Sequence, residues 1–311
     1  MRSGTGHTRA PRGRAALGPF ASRISIDPRK RAGYFGPPNL DFGYLTIPLF
    51  QRALLAGCLL AGMLALLGVL VTARGLAYLG DGLSHAAFGG ISLGVFLGLE
   101  APLAIAIPFT VLSAIGIGAL RRKGGVRSDV AMAILFAVCF ALGVILLRKA
   151  KSRGVFDPEQ LLFGNILLVG SDDLWTVVTI AIVTLVFFAF AWTRIAYATF
   201  DEELARLSGI QVGWLESALL SLLAAVVVAA IRLAGVVLVS AFLVIPAASG
   251  KLLGRSLGGV VAYAMSMGVL GVFLGFVAAH DLGWPEGASI VLTLAAQFTV
   301  AIFVRRRRAR A

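Results

Sequence analysis

The sequence predicts an all-α membrane protein, a polytopic bundle of about eight to nine transmembrane helices. Of its 311 residues, 59% are hydrophobic and 14% are charged, and the mean hydropathy is +0.91. Soluble domains are about half apolar and about a quarter charged, so many membrane crossings are expected. The formal net charge is +13, but most arginines lie in the tails and in short loops between apolar runs, where basic residues set membrane orientation. Nucleic-acid binding is therefore not expected.

Hydropathy divides the chain into three regions. Residues 1–45 form a basic tail with eight Lys or Arg and no apolar signal-peptide core, for which we predict disorder and assign no function. Residues 46–304 form the transmembrane domain, and residues 305–311 form a basic tail that we place in the cytoplasm. This orientation leaves two basic segments, the N-terminal tail and the loop at 148–153, on the outside. Helices are predicted at about 48–72, 78–99, 102–120, 129–147, 172–193, 214–231, 233–252, 257–279 and 287–304.

Two ionisable residues lie at the start of the second predicted helix. Asp81 and His85 are four residues apart, so on a helix they share one face. Ionisable side chains at membrane depth are costly and usually face a bundle interior or a water-filled path. A carboxylate oxygen with an imidazole nitrogen suits a divalent transition metal. The spacing alone leaves a second interpretation open, in which the pair only makes hydrogen bonds within the bundle.

Two further features concern helix packing. Small residues recur every fourth position beside the Asp81/His85 face and predict close contact with another helix: Gly82, Ala86, Gly90, Gly94 and Gly98. Pro246 lies inside a later apolar helix; proline lacks an N–H and crowds the carbonyl four residues before it, so a kink that frees the Phe242 carbonyl is expected. Such a kink is typical of a pathway or hinge, but packing alone also explains it.

The segment at 199–209 is too charged to cross a membrane. Thr199 and Glu202 have the spacing of a capping box and Gly209 suits a helix end, which predicts a short helix. Its apolar residues Phe200, Leu204 and Leu207 would lie on one side. An ordinary interfacial helix and a helix that docks on a partner both remain open.

Three stretches together resemble one family. The run Gly80-Asp81-Gly82-Leu83-Ser84-His85 is similar to the Gly-Asp-x-x-Ser-His signature of the zinc/manganese/iron-type ABC transporter permeases, the ABC-3 class. Residues 234–248 resemble the Pro-Ala-Ala helix of that family, and residues 200–210 resemble its cytoplasmic coupling segment. The similarity runs from about Thr46 to Val304.

The resemblance implies a type II ABC importer-like permease, multi-pass in the plasma (inner) membrane of a prokaryote. It would be a transporter subunit and not an enzyme, with ATP hydrolysis on a separate ABC ATPase chain and no permanently bound cofactor. Asp81 and His85 would bind the transported divalent metal ion, Zn²⁺ or Mn²⁺ first and Fe²⁺ as a further candidate. Other implied partners are an extracytoplasmic metal-binding protein, a second permease copy and membrane lipid. The ATPase would dock on Phe200, Asp201, Glu202, Glu203, Leu204, Ala205, Leu207 and Gly209.

Two alternative functions stay open at this point. One is a permease for cobalamin or an iron-siderophore, which needs no paired metal ligands. The other is a stand-alone secondary transporter or proton-relay protein that uses Asp81 and His85 to carry protons. The sequence does not select the metal. Two positions remain without an assigned role: Asn165, where the family often carries Asp, and His280, which we expect in an external loop.

Overall fold

The computed structural model describes residues 47–76, 79–99, 101–123, 128–150, 164 and 166–308. These residues form nine α-helices and one 3-10 turn, with no strand among them. The helices are α1 (Pro48–Ala73), α2 (Leu79–Phe96), α3 (Leu103–Lys123), α4 (Ser128–Ala150), α5 (Ser171–Phe200), α6 (Glu202–Leu207), α7 (Val212–Leu253), α8 (Leu257–Leu282) and α9 (Glu286–Arg308), with the 3-10 turn at Ile166–Leu168. The all-α prediction is confirmed.

Six of the helices are long and apolar enough to cross a membrane: α1, α4, α5, α7, α8 and α9. The apolar part of α3, Leu103–Ile117, is shorter than these six helices. Helix α2 has 18 residues, which include several glycines and the polar residues Asp81 and His85. In both α1 and α7, 78% of the apolar window is buried inside the bundle. These two helices therefore form its centre, and α2 packs against the second half of α7.

A break divides α7 into the two helices predicted at 214–231 and 233–252. It occurs at Gly235, which has φ 77° and ψ 163°, a conformation that favours glycine. The non-helical dihedral angles of this helix lie at Gly235 and not at Pro246, and the kink expected at Pro246 stays a prediction. Gly235 adjoins Gly164, and Gly250 adjoins Val260 in the first turn of α8. The second half of α7 thus runs toward the end of the bundle where α8 begins.

Several helix ends differ from the prediction. Helix α5 continues seven residues past the predicted end and includes Thr199, because Ile195 and Ala198 continue its buried face. Helix α2 stops at Phe96, and Gly98 follows it with φ 73° as the left-handed residue of a turn. His280 lies in the last turn of α8 rather than in a loop, since Gly283 ends that helix.

The basic segments also differ from the prediction or lie outside the described residues. The four arginines at 305–308 belong to the last turn of α9 and are not a separate tail. Asn165, the tail at 1–45 and the part of the basic loop at 151–153 lie outside the described residues.

The small residues of α2 face two neighbouring helices, α3 and α4. A Cβ atom on Gly90 would lie 2.9 Å from Ala106 Cα, and one on Gly94 would lie 2.8 Å from Pro102 Cα, so these glycines face the start of α3. Gly82 instead faces Met132 of α4 at ordinary contact distance. Helix α2 is therefore held from several sides, which positions the polar side chains of its first turns.

Candidate functional site

The site is built on the first two turns of α2. His85 Nε2 lies 3.7 Å from Asp81 Oδ1, as the spacing of four residues on one helix face requires. The two side chains differ in access: that of Asp81 is 50% exposed and that of His85 is 11% exposed. The carboxylate of Asp81 is thus accessible at the surface of the chain. The imidazole of His85 is enclosed, with its Nε2 toward the carboxylate.

A third polar group comes from the second half of α7. Ser240 Oγ donates a hydrogen bond of 3.0 Å to Asp81 Oδ1, although the two residues are 159 positions apart. The other serine near Pro246, Ser249, donates to the carbonyl of Ile245 in its own helix at 2.9 Å. A serine within a helix often bonds in this way to a carbonyl of its own helix. Only the packing of α7 against α2 distinguishes Ser240.

Aromatic rings of α4 hold the imidazole of His85. The ring centroid of Phe136 lies 3.9 Å from that of His85 at an interplanar angle of 73°, and that of Phe140 lies 5.4 Å away at 80°. His85 Nδ1 is buried and has no hydrogen-bond partner within the described part of the chain. The ring is therefore fixed by packing, with its Nε2 edge toward Asp81. Both phenylalanines were missed, because a Phe in an apolar helix gives no sequence signal of a site.

The separation of the two ligand atoms suits a bound ion. Zinc lies about 2.0–2.1 Å from histidine nitrogen and about 2.0–2.2 Å from carboxylate oxygen. At a tetrahedral angle these bonds place the two ligand atoms about 3.4 Å apart. His85 Nε2 and Asp81 Oδ1, which lie 3.7 Å apart, therefore need to move only slightly closer to bind the ion together. The described residues contain no group of three or more His, Cys, Asp or Glu that could hold a metal. One chain therefore offers a two-ligand site, with the Ser240 hydroxyl beside it.

The second segment singled out by the sequence is the short helix α6. Its N-cap is Asp201, whose Oδ1 accepts a 2.9 Å hydrogen bond from Leu204 N. The predicted capping box is wrong: Thr199 lies within α5 and donates to the carbonyl of Ile195 at 2.6 Å. Glu202 pairs instead with Arg206 at 2.6 Å. Because α5 extends to residue 200, the cap moves two residues along the chain.

The end of α6 follows the prediction. Gly209 has φ 80°, and its N–H donates to the carbonyl of Arg206 at 3.0 Å while Ile210 N donates to that of Ala205 at 3.0 Å. This pair of bonds is a Schellman motif, which requires a left-handed residue.

The two sides of α6 differ in burial. Ala205 is fully buried, whereas Phe200 is 76% exposed and Leu207 is 84% exposed. Beside them lies a cavity of 290 Å³ lined in part by Trp192, Tyr197 and Leu204. Large exposed apolar side chains where α5 meets α6, next to such a cavity, are typical of a protein-docking surface.

Comparisons with known proteins agree with this architecture. Residues 46–305 match the model of the family described as the ABC 3 transport family. The chain is 31% identical over 259 residues to the manganese transport system membrane protein MntC of Listeria monocytogenes, covering 83% of this chain and 91% of that protein. It is also 31% identical to the high-affinity zinc uptake system membrane protein ZnuB of Haemophilus influenzae, covering 82% and 97%.

A solved structure shows the same likeness. A chain in the structure of PsaBC from Streptococcus pneumoniae in complex with Fab superposes with a TM-score of 0.76 at 31% identity, over 84% of this chain and 94% of that one. The described helices are thus similar to an experimentally determined helical bundle along nearly its whole length.

Proposed function

We infer that this chain, which belongs to the ABC 3 transport family, is the membrane-spanning permease subunit of an ATP-driven importer for a divalent metal ion. It is a multi-pass protein of a prokaryotic plasma membrane, with six helices long and apolar enough to cross it. The observation that carries the inference is the Asp81–His85 pair, which faces an open side of the bundle at a metal-compatible separation. Relatives named for manganese and for zinc transport support a metal as the cargo.

The chemistry of the pair suits transport better than storage. Carboxylate oxygen and imidazole nitrogen accept both Zn²⁺ and Mn²⁺, with Fe²⁺ also compatible. Two protein ligands leave at least half of the coordination positions to water or to other groups, so the ion is bound weakly and can leave again, as conduction requires. The hydrogen bond from Ser240 holds the carboxylate toward His85 and so reduces the rearrangement needed when the ion arrives. No cofactor is required for this step.

We place a second copy of the chain opposite the exposed side of Asp81. Two copies related by a two-fold axis would bring two Asp81–His85 pairs to one path, since the carboxylate is half exposed in a single chain. The ion would then pass between pairs that each hold it briefly.

Energy would come from a separate ABC ATPase chain that docks on α6. The exposed Phe200 and Leu207 supply an apolar contact, and the cap and Schellman motif make α6 a rigid unit that can pass a displacement to α5 and α7. On the opposite side of the membrane, an extracytoplasmic metal-binding protein would deliver the ion. This arrangement differs from a stand-alone secondary transporter, which has no ATPase partner.

Metal accumulation in cells tests the proposal. A strain that depends on this permease and its ATPase would carry wild type, Asp81→Ala, His85→Ala or the control Thr110→Ala, at matched membrane levels. Thr110 is a buried polar residue that donates to the carbonyl of Ala106 in its own helix. Elemental mass spectrometry should show a selective loss of one metal, at least about tenfold if each ligand contributes about 1.4 kcal/mol, in both site variants and not in the control.

The opposite result has a clear meaning. If both site variants accumulate every metal as wild type does, Asp81 and His85 are packing residues and the metal path is wrong. The cobalamin or iron-siderophore permease would then be the better account of the fold.

A further inference from the structure

We propose that the end of the bundle where α7 ends, α8 begins and α9 ends contains a binding site for the headgroup of an anionic phospholipid. A cavity of 680 Å³ lies there. It is lined by Leu253, Arg255, Ser256, Gly259, Tyr263 and Arg308. The proposal is independent of the transported ion, because none of these residues belongs to the Asp81–His85 site.

The charge of the cavity selects an anion. Two of its six lining residues are arginines, from two different segments of the chain, and none is Asp or Glu. Arginine presents a planar fork of donors that matches phosphate oxygens. Ser256 adds a hydroxyl; its Oγ accepts from Gly259 N at 3.2 Å, which leaves the O–H to donate elsewhere. The first turn of α8 adds the positive end of its helix dipole.

The position of the cavity selects a lipid. Arg255 lies in the short link between α7 and α8, and Arg308 ends α9, so both lie at the ends of membrane-spanning helices, where phospholipid headgroups are. Basic pockets between transmembrane helices at the cytoplasmic surface are typical sites for anionic headgroups. The C-terminal arginines favour the same surface by the positive-inside rule.

An apolar surface continues from the cavity toward the centre of the membrane. Tyr263 lines the cavity and is exposed, and Leu270 and Leu274 are also exposed on α8. Spacings of 7 and 11 residues put the three side chains on one helix face. Tyrosine is enriched at the headgroup level of membranes, while the two leucines below it would contact acyl chains. The pattern of a basic headgroup site above an apolar face matches a phospholipid and not a free inorganic anion.

Native mass spectrometry of the purified full-length chain in detergent tests the site. Phosphatidylglycerol would be titrated against phosphatidylcholine with the same acyl chains, for wild type, Arg255→Gln and Arg308→Gln. Arg306→Gln is the matched control, because it removes the same charge from the same end of α9 without lining the cavity. Circular dichroism and size-exclusion chromatography would confirm that all variants are folded.

We expect one phosphatidylglycerol to bind in preference to phosphatidylcholine, and each cavity variant to weaken its binding about fivefold, as expected for one basic residue at a membrane surface. Arg306→Gln should change the Kd less than twofold. Raising the salt concentration should weaken binding further.

Four results would overturn the site. Equal loss in Arg306→Gln and in the cavity variants would indicate a diffuse basic surface. Equal binding of both lipids would show that the site does not recognise the anionic headgroup. Displacement of phosphatidylglycerol by inorganic phosphate at equal concentration would indicate a free-anion site. If the cavity variants bind lipid normally but fail to co-purify with the ATPase, the surface contacts protein instead.

Discussion

Substituting Gly68 of α1 should disrupt the candidate site from a distance. A Cβ atom on Gly68 would lie 2.0 Å from the backbone oxygen of Leu243 in α7, whereas optimal contacts are about 3.5–4.0 Å. The two helices must therefore separate by about 1.5 Å to accept alanine. A backbone carbonyl cannot rotate away as a flexible side chain does, so we expect the upper end of the overpacking range, about 3 kcal/mol.

The displacement would reach the polar site. Leu243 also contacts Gly80, where a Cβ atom would lie 2.8 Å from Leu243 Cδ2, and Ser240 lies one turn before Leu243 on α7. Moving this part of α7 away from the bundle lengthens the 3.0 Å hydrogen bond between Ser240 and Asp81. Gly68→Ala should thus lower both stability and metal uptake.

Thermal unfolding in detergent, followed by fluorescence-detected size exclusion, measures the first effect. For a domain of this size about 3 kcal/mol corresponds to a fall in Tm of about 6–12 °C. Gly62→Ala is the control on the same helix, because its Cβ atom would lie 3.7 Å from Met265 Cε, an ordinary contact. If the Tm of Gly68→Ala lies within about 2 °C of the Tm of Gly62→Ala, the close approach of α1 and α7 does not contribute the expected stability.

Three other predictions follow from the described contacts. Ser240→Ala should reduce metal uptake several-fold at limiting metal, since it removes a hydrogen bond to a charged group worth about 1.5 kcal/mol; Ser249→Ala, which loses only a bond within its own helix, should not. Leu207→Glu, at an 84% exposed position, should abolish co-purification of the ATPase while leaving the Tm of the permease unchanged; retained ATPase would exclude α6 as its docking site. Acidification should weaken metal binding, because imidazole must be neutral to ligate and protons compete with the ion for its nitrogen. Isothermal titration between about pH 7.5 and 5.5 checks this, and the difference should disappear in His85→Gln; an unchanged affinity in wild type would remove His85 from the ligands.

Local sequence patterns were sufficient for the helices and for part of the site. Apolar runs of membrane-crossing length located the helices, since the bilayer imposes their length and composition. The four-residue spacing of Asp81 and His85 was enough to place both on one helix face, because helix geometry is the same in any fold. The end of α6 at Gly209 was likewise predictable from its need for a left-handed residue.

Errors arose where two elements compete for the same residues. Thr199 has the side chain of a helix cap, but the apolar pattern of α5 extends through it and shifts the cap to Asp201. The short-range preference of Thr199 was correctly identified, and the longer helix overrode it.

The sequence by itself determined the membrane class, the helices and the Asp81–His85 face, because each depends on composition or on spacings within one turn or one helix. Only the tertiary structure decided that Ser240 contacts Asp81 and that Phe136 and Phe140 enclose His85. Those contacts join residues of separate helices, and their geometry depends on close backbone approaches such as that of Gly68 to Leu243. No periodicity in a single chain encodes which helix lies beside which, since every apolar helix face is equally satisfied by lipid.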